Sequence, residues 1–575
     1  MRSGFLCRVL LIASTLLLLR SAYTQISTSP TTSQPPTFQA QAHAVLIDVV
    51  VTKGKQPALH LQQQDFRVFD NGAPQTIDFF QENVPPPAAS TPTTPQLPPR
   101  EFTNQPATPP GDQVTVLLLD RLNTHAADQA AFIDGVRTFV RGLRQGTPIA
   151  VFTLSSQLRL VQGFTGDPAK LQAAMSGKGA PAPGTTAIAH TAQDDAMDQM
   201  QAASLAESLG MRDNSIAPMN QLRANERSTL TLQALNALSR YLAGIPGRKN
   251  LIWYASDFPF AIFPDDRIGQ TLAQNQAFSS EVRTTTSLLA AARVAVYPVS
   301  AAGISNDSWT QASNTAENSS IDGMTQQSAR DQNARAANIA AMEQIATDTG
   351  GRAMYTTNDL GKAAADAMQN GAHYYTLAYT PSTLQPNGSY HRIEVKLTGH
   401  SEKLEYRRGY FADSGAALSA SGDPLIPLLR DGLPSATQIV YLVRAVPALP
   451  QPVAGAPVSG GNRTLSGPST RYLVDLTVPT DGLDLVFKPD GARSGNIELA
   501  LVAYDLSGKA VNWTGGATAI DLTPASFAAA QKSGIPLRLQ LDLPDQPLRL
   551  ATGVYDLGSN KAGTLEIPFE AKAQP

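Results

Sequence analysis

A stretch in the first third of the chain reads Val114-Thr115-Val116-Leu117-Leu118-Leu119-Asp120-Arg121-Leu122-Asn123-Thr124. Up to Leu119 it is apolar except for Thr115, a pattern typical of a strand that is buried on both faces of a parallel sheet. The pattern turns polar at Asp120, which predicts that the strand ends there. Residues 126–144 follow with apolar side chains at helical spacing, and they predict a helix that Gly146 closes.

The same alternation of strand and helix continues to residue 372. Further strands are predicted at 149–154, 251–254, 294–299 and 353–355, and further helices at 226–243, 282–292 and 336–347. Such alternation with short connections is typical of an open, mostly parallel, doubly wound sheet with right-handed crossovers. We therefore predict an α/β domain at residues 112–372, with a long insert at 162–225 that carries little periodic signal.

All-β segments flank this domain on both sides. The sequence predicts a β module at 38–84, β strands at 373–412 and a C-terminal β-sandwich at 436–570, with a Pro-rich linker at 85–111 and a second linker at 413–435. A module of three strands is too small to bury a core alone. We therefore expect 38–84 and 373–412 to form one sandwich into which the α/β domain is inserted.

Length and charge limit the architecture and the partners. The chain has 575 residues, which at about 150 residues per domain predicts three or four domains. Charged residues make up 16% of the chain, and the net charge is -3. Because there is no basic excess, nucleic acid is excluded as an expected partner.

The first 24 residues predict a signal peptide. An apolar run at 9–19 follows two arginines, and Ala22 and Thr24 place small residues before a cleavage site at Gln25. An uncleaved anchor is the alternative, but Arg20 ends the run well short of the roughly 20 apolar residues that a spanning helix needs. We expect an extracytoplasmic protein (periplasm, cell surface or secreted) with a disordered spacer at 25–37 and no membrane span after cleavage.

Motifs for catalysis are missing from the sequence. The one cysteine, Cys7, lies in the signal peptide, so the mature chain would have no disulfide, no Cys-ligated zinc and no thiol nucleophile. The histidines show no His-Glu-x-x-His spacing, and there is no Gly-x-Ser-x-Gly elbow. We therefore predict that the protein is not an enzyme.

Several strings of the chain resemble one bacterial family. They are Asp-Arg-Leu-Asn-Thr at 120–124, Gly-Arg-Lys-Asn-Leu-Ile-Trp at 247–253, Gly-Gly-Arg at 350–352, Tyr-Tyr-Thr-Leu at 374–377 and Arg-Arg-Gly-Tyr at 407–410. Over residues 38–411 the chain resembles the von Willebrand factor type A (VWFA) related family of acidobacterial type. This resemblance implies a Rossmann-like VWA domain with a metal-ion-dependent adhesion site (MIDAS).

The resemblance also implies the ligands of that site. Asp120 matches the first aspartate of the Asp-x-hydroxyl-x-hydroxyl motif and Thr124 its second hydroxyl, while Thr186 and Asp257 match the remaining threonine and aspartate. The implied cofactor is Mg²⁺ or Ca²⁺. Leu122 stands where the first hydroxyl belongs and cannot coordinate a cation, so we expect weak affinity. Alternatively, both aspartates are caps of the helices that follow their strands.

A binding function follows from the resemblance. The expected partner is a protein or another macromolecule of the cell envelope, whose acidic side chain would complete the shell of the cation. Two alternatives remain at this point: an envelope scaffold with a vestigial metal site, and a metal-dependent hydrolase that acts on envelope material. The hydrolase alternative lacks a base or nucleophile in a suitable arrangement.

Overall fold

A computed structural model describes residues 44–54, 56–84, 97–106, 113–124, 128–143, 148–176, 216–258, 279–301, 321–355, 357–382, 389–399, 401–412, 424–448, 462–463 and 465–570. The predicted signal peptide, the spacer at 25–37 and Thr186 lie outside these residues. No helix in the described ranges is long and apolar enough to cross a membrane.

The N-terminal β module contains five strands. They are β1 (Val45–Lys53), β2 (Gln56–Pro57), β3 (Phe66–Asp70), β4 (Ala73–Gln75) and β5 (Phe79–Asn83). A sixth strand, β6 (Glu101–Thr103), lies within the segment predicted as a Pro-rich linker.

A mixed sheet forms the centre of the α/β unit. Its strands are β7 (Gln113–Asp120), β8 (Ile149–Leu154), β9 (Leu158–Thr165), β10 (Arg248–Ala255) and β11 (Val294–Ser300). They lie in the order β11-β10-β7-β8-β9, in which β9 is antiparallel to β8 and the other neighbours are parallel. The carboxyl ends of β7 and β10 therefore lie side by side at one edge of the sheet.

Helices pack on both faces of this sheet. They are α1 (Gln129–Arg141), α2 (Pro168–Ser176), α3 (Ile216–Leu242), α4 (Ser279–Ala291), α5 (Ile321–Thr349) and α6 (Leu360–Asn370). Val116 and Leu118 of β7 pack with α3, α4 and α5 in one buried cluster. Leu117 and Leu119 point to the opposite face, where they pack with α1, α2 and α6. Alternate residues of β7 therefore pack into two different cores, one on each face of the sheet.

The strands after the α/β unit return to the N-terminal β module. They are β12 (Tyr374–Tyr379), β13 (Tyr390–Leu397), β14 (Lys403–Glu405) and β15 (Gly409–Phe411). β12 lies between β1 and β5, β14 pairs with β1, and β13 pairs with β3, all antiparallel. A shared apolar core includes Ile47, Phe66, Tyr375 and Ile393. Strands of the segments 38–84 and 373–412 therefore pair with one another and share one core, and we refer to them together as the β domain.

The C-terminal region contains two further sheets. Its elements are β16 (Leu442–Pro447), β17 (Ser469–Val478), β18 (Val486–Phe487), β19 (Arg493–Tyr504), β20 (Ala510–Leu522), α7 (Pro524–Ser533), β21 (Ile535–Pro544), β22 (Pro547–Asp556) and β23 (Lys561–Glu570). One sheet has the order β21-β17-β16-β6, and the other contains β18 to β20 with β22 and β23. Side chains from both sheets form one core.

Several predicted boundaries differ from the structure. β6 belongs to the C-terminal sheet through its pairing with β16, so part of the predicted first linker is a strand. In the predicted second linker, a 3₁₀ helix (Ile426–Leu429) packs Leu425 and Leu429 into the C-terminal region. Helices α3 and α5 begin at Ile216 and Ile321, earlier than the predicted starts at 226 and 336. Residues 216–225 and 321–335 contain few large apolar side chains, so the apolar pattern did not reveal these first turns.

Candidate binding site

The candidate site lies at the carboxyl ends of β7 and β10. These strands pair in parallel up to Leu119 and Tyr254, so the loops that follow them leave the sheet together. We call residues 121–124 and 256–258 the carboxyl-end loops. In an open α/β sheet, ligands bind beyond the carboxyl ends of the strands. This position is therefore the one where function is expected.

Asp120 is buried at the end of β7, and its carboxylate accepts hydrogen bonds from protein groups. The backbone N–H of Asn123 donates to Oδ1 (3.0 Å), and Asn123 Nδ2 donates to Oδ2 (2.8 Å). The indole Nε1 of Trp253 also donates to Oδ2 (2.9 Å). Burial raises the pKa of Asp120 to about 6, although these hydrogen bonds and one from the Leu122 amide act to lower it.

Trp253 is a residue of β10 and belongs to the apolar core. It is fully buried, and its ring makes an edge contact with Phe258 at a centroid distance of 4.9 Å. Its indole N–H also holds the Asp120 carboxylate, a role that the sequence analysis missed. The two residues are 133 positions apart, so no local pattern in the sequence signals their contact.

The first carboxyl-end loop is fixed by its own polar side chains. Asn123 Nδ2 donates to Thr231 Oγ1 of α3 (2.9 Å), in addition to its bond with Asp120. The hydroxyl of Thr124 donates to the backbone carbonyl of Asp120. Leu122, which replaces the expected hydroxyl residue, packs half-buried against the core beneath α3 to α5. Three of the four residues in this loop therefore stabilise its conformation.

The second carboxyl-end loop is joined to the first through its backbone. The carbonyl of Asn123 accepts hydrogen bonds from the backbone N–H groups of Ser256 (3.1 Å) and Asp257 (3.0 Å). Ser256 Oγ donates to Asp128 Oδ2 (2.6 Å), just before α1. Asn338 of α5 bridges this loop, because its amide contacts the Ser256 carbonyl (2.7 Å) and the Phe258 N–H (2.8 Å). The two loops thus form one connected surface.

The four predicted metal ligands are only partly brought together. Asp120 and Thr124 are adjacent and buried, and half-buried Asp257 lies in the loop that contacts theirs. Thr186 falls outside the described residues. Within the described part of the chain, no three His, Cys, Asp or Glu side chains lie close enough together to hold a metal ion.

The surroundings of Asp120 do not fit a cation. A carboxylate offers about four lone-pair positions, and three hydrogen bonds from Asn123 and Trp253 occupy most of them. All of these neighbours are N–H donors, whose partial positive charge would repel a cation. The N–H groups of Asn123 and Trp253 therefore already satisfy the carboxylate that a cation would otherwise bind.

Comparisons with known proteins give no family. No protein-family model matches the chain, and no curated protein matches it. Similar solved structures include an aerotolerance-related membrane protein from Bacteroides fragilis NCTC 9343, with 10% identity and a TM-score of 0.21 over 45% of this chain and 98% of that one. A von Willebrand factor type A structure from Catenulispora acidiphila has 10% identity and a TM-score of 0.22 over 61% of this chain and 76% of that one. The human COPII-coat protein Sec24c has 8% identity and a TM-score of 0.21 over 53% of this chain and 44% of that one. These identities and TM-scores show neither family nor function.

Proposed function

We propose that this chain is an exported, non-enzymatic binding protein whose VWA-like, doubly wound α/β domain contacts a protein or another macromolecule of the cell envelope. One observation carries this proposal: the Asn123 carbonyl accepts two backbone hydrogen bonds from the loop after β10. This contact joins the loops of two neighbouring strands into a single preorganised surface. A preorganised surface binds a partner at a lower entropic cost than separate mobile loops.

We further propose that binding at this surface does not depend on a cation. Because Asn123 and Trp253 supply the donors for Asp120, the carboxylate acts inside the domain, where it holds the ends of β7 and β10. Leu122 agrees with this role, since it contributes apolar contact in place of a ligand oxygen. In this proposal the site uses hydrogen bonds, in place of a cation, for its integrity.

Capture of partners from the native envelope fraction tests this function. We expect the wild-type protein to retain its partner equally well with and without chelator. Arg121→Ala and Asp257→Ala, which change half-buried side chains of the carboxyl-end loops, should each weaken capture at least about tenfold, the loss expected when an interface contact of about 1.4 kcal/mol is removed. Glu394→Ala, an exposed change on β13, is the matched control and should leave capture unchanged.

Two outcomes would contradict the proposal. Equal capture by the wild type and both loop variants would show that the carboxyl-end loops are not the binding surface, and the envelope-scaffold alternative would replace it. Release of the partner by chelator, with the loop variants inactive, would show that a cation takes part.

A further inference from the structure

An aromatic side chain of the C-terminal region lies exposed beside an arginine. Phe487 belongs to β18, a strand of only two residues, and it is 46% exposed. The pairing of β18 with β19 places Phe487 directly opposite Arg493. Aromatic residues and arginine are both enriched at protein–protein interfaces. This pair is therefore a candidate contact surface outside the carboxyl-end loops.

Two aromatic rings hold the side chain of Arg493. Its guanidinium carbon lies 5.0 Å from the centroid of the Phe487 ring and 4.9 Å from that of Phe527 in α7. A guanidinium that stacks on aromatic rings is attracted to their faces and keeps its N–H groups at its own edge. The two rings therefore restrict the positions that this long side chain can take.

The segments that carry these rings have defined backbone conformations. In the turn between β18 and β19, the Gly491 N–H donates to the Lys488 carbonyl (2.9 Å), and the Lys488 N–H donates to the Ala492 carbonyl (2.8 Å). Helix α7 begins after Thr523, whose hydroxyl accepts a hydrogen bond from the Ser526 N–H (3.2 Å). The rings and the arginine are thus placed before any partner binds, which lowers the entropic cost of binding.

The N–H groups of Arg493 remain unused within the part of the chain that the structure describes. Its guanidinium donates no hydrogen bond and forms no ion pair there, and none of its nitrogens is a buried atom without a partner. Because Arg493 is half-buried, these nitrogens reach the surface. Two other arginines of the same region, Arg471 and Arg538, form bidentate pairs with Asp542 and Asp475.

The carboxylates that lie near Arg493 in the fold have partners of their own. Asp521 Oδ1 forms an ion pair with Lys488 Nζ (2.7 Å). Asp521 pairs with Ser494, so its side chain points to the face of the sheet opposite that of Arg493. Asp490 Oδ1 accepts a hydrogen bond from the Ala492 N–H in the turn (3.0 Å). An incoming acidic group therefore meets a guanidinium that no carboxylate of the described chain contacts.

We propose that Phe487, Arg493 and Phe527 form a second binding surface, which receives an acidic side chain of a polypeptide partner. The planar fork of the guanidinium matches the two oxygens of a carboxylate. The exposed Phe487 ring provides apolar contact for a side chain next to that acid. A carboxylate fits better than a phosphate group, which carries close to two negative charges, because Arg493 supplies one positive charge. The C-terminal region thereby gains a binding role that is independent of the carboxyl-end loops.

Selection from a peptide library tests this surface. Phage-displayed random dodecapeptides are selected on the full-length wild-type protein, and those that also bind Arg493→Gln are removed. We expect the remaining peptides to share an Asp or Glu beside an aromatic or aliphatic residue. Fluorescence anisotropy with one of these peptides, labelled and synthesised, then gives its Kd for each variant.

Variants separate the roles of the guanidinium and the ring. Arg493→Gln should weaken binding of the peptide at least about tenfold, the loss expected for a charge-assisted hydrogen bond. Arg493→Lys keeps the charge but loses the planar fork, and it should lose most of the affinity as well. Phe487→Ala should weaken binding about threefold or more. Arg444→Gln, at an exposed arginine of β16, is the matched control and should bind as the wild type does.

Several results would overturn the proposal. They are a selection that yields no Arg493-dependent peptide, selected peptides without acidic residues, or full affinity in Arg493→Lys. Dextran sulfate that binds at Arg493 more tightly than the peptide would assign the surface to a polyanion instead. Arg121→Ala, in the carboxyl-end loops, should leave peptide binding unchanged, so the result does not depend on the function proposed for those loops.

Discussion

The indole Nε1 of Trp253 donates a hydrogen bond of 2.9 Å to Oδ2 of Asp120, across the ends of two neighbouring parallel strands. Both residues are fully buried. A buried carboxylate costs free energy unless hydrogen bonds satisfy it, and this contact supplies one of the required donors. The bond therefore makes the integrity of the carboxyl-end loops depend on residues from two distant segments of the chain.

Trp253→Phe should weaken this arrangement while keeping most of the apolar volume. The change removes one donor from a buried carboxylate, and we expect the free energy of unfolding to fall by about 1–3 kcal/mol at pH 7. Urea denaturation measures this loss. Trp513→Phe, at a half-buried tryptophan of the C-terminal region, is the control. Equal losses of unfolding free energy in Trp253→Phe and Trp513→Phe would show that the hydrogen bond to Asp120 adds nothing measurable to stability.

Asp120 should make stability depend on pH. Burial raises its pKa from 3.8 to about 6 in the folded protein, so the folded state holds the proton more tightly than the unfolded state. Its contribution to stability is then fully present below about pH 4 and is lost as the pH rises through about 6. Relative to Asp120→Asn, the free energy of unfolding of the wild type should fall by roughly 2 kcal/mol between pH 4 and pH 7.

Urea titrations of both proteins over that pH range measure this difference. Because the two chains differ only at residue 120, the titration of all other groups largely cancels in the comparison. A difference that stays constant from pH 4 to pH 7 would contradict a raised pKa for Asp120.

Asp48→Asn should destabilise the junction between the β domain and the α/β unit. The variant leaves the half-buried guanidinium of Arg293 without its buried carboxylate partner, and loss of one partner from a buried pair costs about 3 kcal/mol. Chemical denaturation measures the loss. The matched control is Asp366→Asn, which breaks the exposed pair with Lys362 and should cause little change. Similar losses of unfolding free energy in Asp48→Asn and Asp366→Asn would contradict the prediction that the more buried ion pair contributes more to stability.

Two glycines should differ sharply in their tolerance of alanine. A Cβ on Gly351 would lie 2.0 Å from the carbonyl oxygen of Val296, whereas a Cβ on Gly72 meets nothing within 4 Å. Gly72→Ala should cost about 1–2 kcal/mol, because only its left-handed φ of 82° opposes the side chain. Gly351→Ala should cost about 3 kcal/mol or more and reduce soluble expression. Thermal unfolding of both variants provides the comparison.

The strand and helix pattern was readable wherever one element carries strong apolar periodicity. The run at 114–119 predicted a strand buried on both faces, and β7 does pack into two cores. Helix α6 (Leu360–Asn370) is an exception: it was not predicted, although its buried residues Leu360, Ala363, Ala364 and Ala367 recur at helical spacing. The first turns of α3 and α5 were missed because residues 216–225 and 321–335 contain few large apolar side chains.

The sequence predicted that Asp120 ends a strand, but it did not predict the groups that surround its carboxylate. The change from apolar residues to Asp120 marked the carboxyl end of the strand in the sequence. The indole donor to its carboxylate could not be predicted from the sequence. Trp253 lies 133 residues away and reaches Asp120 only because β7 pairs with β10. The pairing of strands far apart in sequence depends on tertiary packing, which no local pattern encodes.

The response of the wild-type melting temperature to cations tests the hydrogen-bonded state of Asp120 most directly. Since N–H groups occupy the carboxylate, we predict the same melting temperature in Mg²⁺, in Ca²⁺ and in chelator at matched ionic strength. A bound cation at about one hundred times its Kd would add about 2.7 kcal/mol to the free energy of unfolding, which thermal unfolding detects easily. A higher melting temperature in Mg²⁺ or Ca²⁺ that Asp257→Ala abolishes would contradict the prediction and assign the site to a metal ion.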